Sequence, residues 1–127
     1  MASLTVVSVV THDMAASIRF YSQLGLRVEN GGPSDDHASF TGEGVALMLD
    51  TEQLVAQIEP GWSRPVGGHA IALAFCCATP AEVDELFAQL VAAGAPAKKQ
   101  PWDAFWGQRY ASVLDPDGNQ VDLFCEL

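Results

Sequence analysis

The chain has 127 residues, the size of one domain with its own core, and 49% of them are apolar, so no disulfide or metal staple is needed for it to fold. Six basic residues against sixteen acidic ones give a formal net charge of −10. That balance argues against nucleic acid and anionic membrane surfaces as partners, since both select clustered Lys and Arg, and it suits a cationic ligand.

No apolar run approaches the ~20 residues of a membrane span, and no basic patch followed by an apolar stretch opens the chain, so no membrane association and a cytoplasmic location are expected. The three cysteines, Cys76, Cys77 and Cys125, lie in apolar strand-like runs without Cys-x-x-Cys spacing. They read as reduced core residues.

In chain order, Leu4 to Val10 is β-branched and apolar, which predicts a buried strand. Asp13 is placed to cap a helix whose apolar positions are Met14, Ile18, Tyr21 and Leu24, and Gly25 can end it. Short strands follow at Leu26 to Glu29, His37 to Thr41 and Val45 to Asp50, separated by Gly-rich turns. Leu54, Val55 and Ile58 predict one or two helical turns after Thr51, and residues 59–68, with Pro60, Pro65, Gly67 and Gly68, read as a linker inside a single domain spanning 1–127.

The same order then returns. His69 to Cys77 predicts a strand, and Thr79-Pro80-Ala81-Glu82 a capped helix start before the apolar stripe Val83, Leu86, Phe87, Leu90 and Val91. Gly94 ends that helix, Ala95 to Lys99 can form an edge strand, and Trp102 and Trp106 fall in a short polar loop. Arg109 to Leu114 and Asn119 to Cys125 then form a hairpin around Asp115-Pro116-Asp117-Gly118, where Pro presets φ and Gly accepts φ > 0. Phe20-Tyr21-Ser22-Gln23-Leu24 matches Leu86-Phe87-Ala88-Gln89-Leu90, and Ala38-Ser39-Phe40 matches Ala111-Ser112-Val113, as an internal duplication requires. The predicted class is α+β, with one βαβββ module at 4–58 and another at 69–127.

The paired pattern, the opening HDMAASIRFYSQLGLRV and the closing WGQRYASVLDPDGNQVDLF resemble the vicinal oxygen chelate superfamily, which holds glyoxalase I, bleomycin-resistance proteins, fosfomycin-resistance enzymes and extradiol dioxygenases. The resemblance covers essentially the whole chain. It implies strands curved around a cleft with helices outside, and a homodimer. It does not fix one chemistry, because the superfamily contains metalloenzymes and metal-free binding proteins.

Strand alternation assigns the side chains to faces. Val121, Leu123 and Cys125 should pack, turning Gln120, Asp122 and Phe124 toward the cleft, and Leu47 and Leu49 should pack, turning Met48 inward. Ala70, Ala72 and Ala74 should line the cleft, and the repeat places Thr5, Val7 and Val9 inward. The resemblance implies that a metalloenzyme would carry its ligands at Thr5, Met48, Ala70 and Asp122. Only Asp122 is a good donor for a hard divalent ion, and His69, one residue from Ala70, is the other weak candidate.

The expected site is therefore a binding surface without metal, cofactor or catalytic residue: Phe40, Met48, Trp102, Trp106, Gln120, Asp122 and Phe124, with Trp62 as an outer candidate. Aromatic walls beside a carboxylate suit a small flat or cationic organic molecule. The metal-free, acidic, Trp-bearing pattern is similar to bleomycin-resistance proteins, so the expected function is metal-independent binding, with cationic or aromatic antibiotics among the ligands to be sequestered. The alternative is a divalent-metal lyase, isomerase or dioxygenase of the glyoxalase I type.

Overall fold

The computed structural model describes all residues, 1–127, and divides them into two compact units, Met1–Val66 and Gly67–Leu127. The first unit contains β1 (Val6–Thr11), α1 (Met14–Gln23), β2 (Arg27–Asn30), β3 (His37–Thr41), β4 (Ala46–Thr51) and α2 (Glu52–Ile58). The second contains β5 (Ala72–Cys76), α3 (Pro80–Ala92), β6 (Ala97–Asp103), β7 (Gln108–Leu114) and β8 (Gln120–Glu126). Each sheet has four strands, ordered β1-β4-β3-β2 and β5-β8-β7-β6. In each the first strand runs parallel to the last and the other pairs are antiparallel. The duplicated βαβββ pattern of the sequence is the observed topology.

The helix starts follow from capping chemistry. Asp13 Oδ1 accepts from the Ala16 amide at 3.0 Å, Thr51 Oγ1 from Leu54 at 3.2 Å, and Thr79 Oγ1 from Glu82 at 3.1 Å. Glu82 Oε2 reaches back to the Ala78 amide at 3.0 Å, one residue ahead of the cap. At the far end of α1, Gly25 turns the chain out at φ 92°. One face of each sheet packs on its helix: Leu49, Phe40 and Tyr21 are fully enclosed in the first unit, and Val83, Leu90, Val113, Val121 and Leu123 in the second. Each such side chain contributes roughly 1.5–3 kcal/mol of burial.

Four sequence expectations change. Pairing of β1 with β4 aligns Val7, Val9 and Thr11 with Leu47, Leu49 and Thr51, and Thr11 Oγ1 shares a 2.7 Å hydrogen bond with Ser17 on α1. Val7 and Val9 therefore face the helix, and Ser8 lies on the other face beside Met48. A strand with valines on both faces carries little alternation of its own, so its partner fixes its phase. Strand β5 begins at Ala72, leaving Ala70 and His69 in the loop before it. Strand β6 extends to Asp103 with two register irregularities, which puts Trp102 on a strand and only Trp106 in the turn. Cys76 is exposed, while Cys77 and Cys125 are buried as expected; burial, then the nearby Glu82 carboxylate, pushes the Cys77 thiol up to about 11.

The hairpin turn has a cause that the Pro and Gly alone do not supply. Asp115 is 2% exposed. Its Oδ1 accepts from the amides of Asp117 (2.9 Å) and Asn119 (2.8 Å), and its Oδ2 from Asn119 Nδ2 (2.9 Å). Gly118 completes the turn at φ 82°.

Candidate functional site

Strand pairing in the second unit builds three rows on the sheet face turned away from α3. Ala72, Gln120 and Leu114 form one, Ala74, Asp122, Ser112 and Lys99 the next, and Cys76, Phe124, Tyr110 and Trp102 the third. The third row is continued by aromatic contacts. Phe124 stacks on Tyr110 with centroids 6.3 Å apart, Tyr110 meets Trp106 edge-to-face at 5.4 Å, and Trp106 meets Trp102 at 5.4 Å and Phe105 at 4.9 Å. Five rings thus form one continuous wall, with Trp106 half-exposed and Phe105 almost fully exposed at the β6–β7 turn.

Asp122 holds the base of the wall. It is 6% exposed, and it accepts from Tyr110 Oη at 2.8 Å on Oδ2 and from Ser112 Oγ at 2.6 Å and Gln120 Nε2 at 2.9 Å on Oδ1. Burial, then the hydrogen bond to Asp122, then its charge, push the Tyr110 hydroxyl up to about 12. The phenol therefore stays protonated and donating, which fixes the ring that Trp106 and Phe124 touch. At the other end, Trp106 Nε1 donates to Gln108 Oε1 at 2.8 Å, and Gln108 Nε2 donates to Glu126 Oε1 at 2.6 Å.

Of the expected site residues, Trp102, Trp106, Gln120, Asp122 and Phe124 share this sheet face. Phe40 does not belong to such a surface: it is 1% exposed and its ring lies against Tyr21 of α1, so it is a core residue of the first unit. Its neighbour Ser39, not Phe40, carries the phase of the face away from the helix. Met48 is on that face of the first sheet, between Ser8 and Ser39, and Trp62 follows α2 in the same unit. Tyr110, Ser112, Phe105 and Lys99 were missing from the sequence reading. The alternation applied to β8 would have found Tyr110 and Ser112 had it been carried onto β7, because antiparallel partners share a face.

The first sheet carries a different pair at its corresponding row, where His37 Nδ1 lies 2.6 Å from Asp50 Oδ1. On the helix side of the second unit, a separate groove of about 560 Å³ runs between α3 and β6, floored by Phe87, Ala88, Val91 and Pro101. Arg109 closes it, with Nε and one terminal nitrogen on Asp84 (2.9 and 3.1 Å) and the other on Asp103 (3.1 Å).

A chain built as two βαβββ copies is a member of a known class. Residues 3–123 match the Glyoxalase/Bleomycin resistance protein/Dioxygenase superfamily, and the chain belongs to it. An uncharacterized protein of Mycobacterium tuberculosis is 32% identical over 122 residues, 90% of this chain and 69% of that one. The superfamily structure from Nocardioides is 29% identical, with a TM-score of 0.78, covering 100% of this chain and 85% of that chain. A family enzyme from Burkholderia phytofirmans has the same fold at a TM-score of 0.88 and 24% identity, covering 99% and 100% of the two chains.

The residues present do not fit the divalent metal that part of this superfamily uses. The row-mates of Asp122 are Ala74 and Ser112, and both its oxygens already accept protein donors. Met48 stands between two serines, and Ser8 and Ala74, rather than Thr5 and Ala70, are the strand positions beside Met48 and Asp122. His69 is exposed, and its Nδ1 lies 3.1 Å from Lys98 Nζ. Nowhere do three His, Cys, Asp or Glu side chains gather as ligands.

Proposed function

We propose that this superfamily member binds a flat aromatic molecule on the wall formed by Trp102, Phe105, Trp106, Tyr110 and Phe124, without metal and without turnover. The observation that carries this reading is the unbroken run of edge-to-face and stacked contacts ending in two exposed rings, Phe105 and Trp106. Rings fixed against one another lose little entropy when a planar ligand joins them, and each stacking contact contributes roughly 0.5–1.5 kcal/mol beyond its buried area.

Binding rather than catalysis is supported by the polar groups at the wall. Tyr110 is held neutral far above physiological pH, so it is not poised as a general acid or base near pH 7, and both oxygens of Asp122 are already taken up by protein donors. Sequestration of a planar antibiotic by a homodimer is the physiological form this reading takes.

Titration with proflavine and with naphthamide, read by tryptophan fluorescence, tests it. Saturable quenching is expected, weakened about tenfold by Trp106→Ala, as the loss of ~1.4 kcal/mol of stacking implies. Absence of quenching with both probes, or unchanged affinity in the variant, overturns the proposal. Calorimetry of chelator-treated protein with Mn²⁺, Ni²⁺ and Zn²⁺ checks the metal-free part, and tight stoichiometric binding would reverse it.

A further inference from the structure

The charge expected to greet a ligand at the wall is not the one free to do so. Asp122 is buried and saturated by three donors. Of the three cationic side chains of the second unit, Arg109 is paired to Asp84 and Asp103, and Lys98 lies against His69. Lys99 makes no ion pair; its ammonium sits over the Trp102 ring, 4.7 Å from the centroid. Register with Ser112 places Lys99 in the row of Asp122, on the same face as the wall.

A second, independent observation falls on the same indole. Trp102 Nε1 is one of two buried side-chain polar atoms in the chain with no hydrogen-bond partner. An indole N–H can only donate, and a buried donor left unmet is costly, so the position calls for an acceptor. Two donors of the required kind, one charged and one neutral, thus meet at one ring of the wall, and no protein acceptor serves either.

We propose that Lys99 and Trp102 form the acceptor-recognising corner of the aromatic wall, and that its ligands are planar aromatic acids whose carboxylate draws the Lys99 ammonium off the indole and so reaches the Trp102 N–H, which is enclosed in the unliganded protein. This inference rests on the wall being a binding surface and specifies its ligand class. On meeting the carboxylate, Lys99 exchanges a cation–π contact, weak at an exposed site, for a charge-assisted hydrogen bond, the stronger interaction of the two. The chain's charge of −10 does not cancel this preference. Exposed charges more than about 8 Å away are largely screened at physiological ionic strength, so the two adjacent donors decide the local choice while the wider field slows the approach of anions.

The test uses one ring system with three substituents. Naphthoate, naphthamide and naphthylmethylammonium are titrated by calorimetry into wild-type protein, Lys99→Met and Trp102→Phe. Methionine keeps an apolar stem without the charge, and phenylalanine keeps a ring without the N–H. Naphthoate is expected to bind at least about tenfold tighter than naphthamide in the wild type, with the ratio falling to near one in Lys99→Met and by part of that in Trp102→Phe. Equal binding of naphthoate and naphthamide, tightest binding of the ammonium, or a ratio that survives in Lys99→Met overturns the acid-binding corner while leaving the wall as a binding surface. If none of the three binds, the wall itself is refuted and the corner with it.

Discussion

Replacing Asp122 by Ala should damage the fold before it damages binding. The carboxylate is 6% exposed and accepts three hydrogen bonds, from Tyr110, Ser112 and Gln120. Ser112 is 5% exposed and has no nearby solvent to turn to, so leaving its hydroxyl unpaired costs roughly 1.5–3 kcal/mol. Tyr110 and Gln120 are only half-buried, so the loss of their bonds costs about 1 kcal/mol each. The removed carboxylate no longer bears its own desolvation cost, which brings the expected net loss to about 3 kcal/mol. That is a large part of the ~5–15 kcal/mol that holds a domain together. Asp122→Asn keeps one acceptor oxygen, and a hydroxyl can rotate to accept from the new amide, so about 1 kcal/mol is expected there. Urea unfolding followed by far-UV dichroism measures both, and the near-UV aromatic signal should weaken in Asp122→Ala before unfolding begins. A loss below ~1 kcal/mol with an unchanged aromatic signal would show that Asp122 does not hold the wall.

Tyr110 gives a pH signature of the same network. Its folded value of about 12 lies above the ordinary 10, so its stabilisation is complete below pH 10 and is lost as pH rises toward 12. The tyrosinate absorbance step that disappears in Tyr110→Phe should move down in Asp122→Asn, but burial, the largest cause, should keep it above 10. Phe40→Ala should cost ~3–5 kcal/mol by urea unfolding, since the ring is fully enclosed, and leave the affinity for naphthamide unchanged. Gly118→Ala and Gly31→Ala both force a side chain onto φ 82°, but a Cβ at Gly31 would lie 2.2 Å from the His37 carbonyl oxygen, whereas at Gly118 it meets nothing within 4 Å. Gly118→Ala should therefore cost ~1 kcal/mol and Gly31→Ala clearly more, an order that thermal melts can read.

The two modules were legible because their signals are local: caps at Asp13 and Thr79, apolar stripes at helical spacing, and glycines where the chain must turn. Faces were legible only where a strand alternates. Val121 and Leu123 against Gln120 and Asp122 declare their sides, whereas Val6 to Val10 do not, and their phase comes from the register with β4. His69 looked like a strand residue because its neighbours are apolar, yet β5 has pairing partners on β8 only from Ala72 onward. Lys99 and the orphaned Trp102 N–H could not be read at all. Their meaning depends on which ring the ammonium covers and on the absence of an acceptor, and both are properties of packing between residues rather than of composition.

Superposing the two copies by register shows where this chain became specific. On the helix faces the equivalent residues are alike in kind: Leu49 and Leu123, Leu47 and Val121, Ala38 and Ala111, Phe40 and Val113. On the opposite faces only Ser39 and Ser112 remain alike; Met48 stands for Asp122, His37 for Tyr110, and Asp50 for Phe124. Close packing against a helix keeps these positions apolar, which accounts for the first set, and the exchange of Phe40 for Val113 is one of size within that limit. The second set faces away from the helix, so its divergence reflects what each face meets. In the first copy the row became a His37–Asp50 pair, open to solvent; in the second the equivalent row became a stacked Tyr110–Phe124 pair extended by Trp106 and Trp102. If the proposed aromatic wall binds ligand, recognition belongs to the second module, and substitutions at His37 or Asp50 should leave naphthamide affinity unchanged while those at Trp106 lower it.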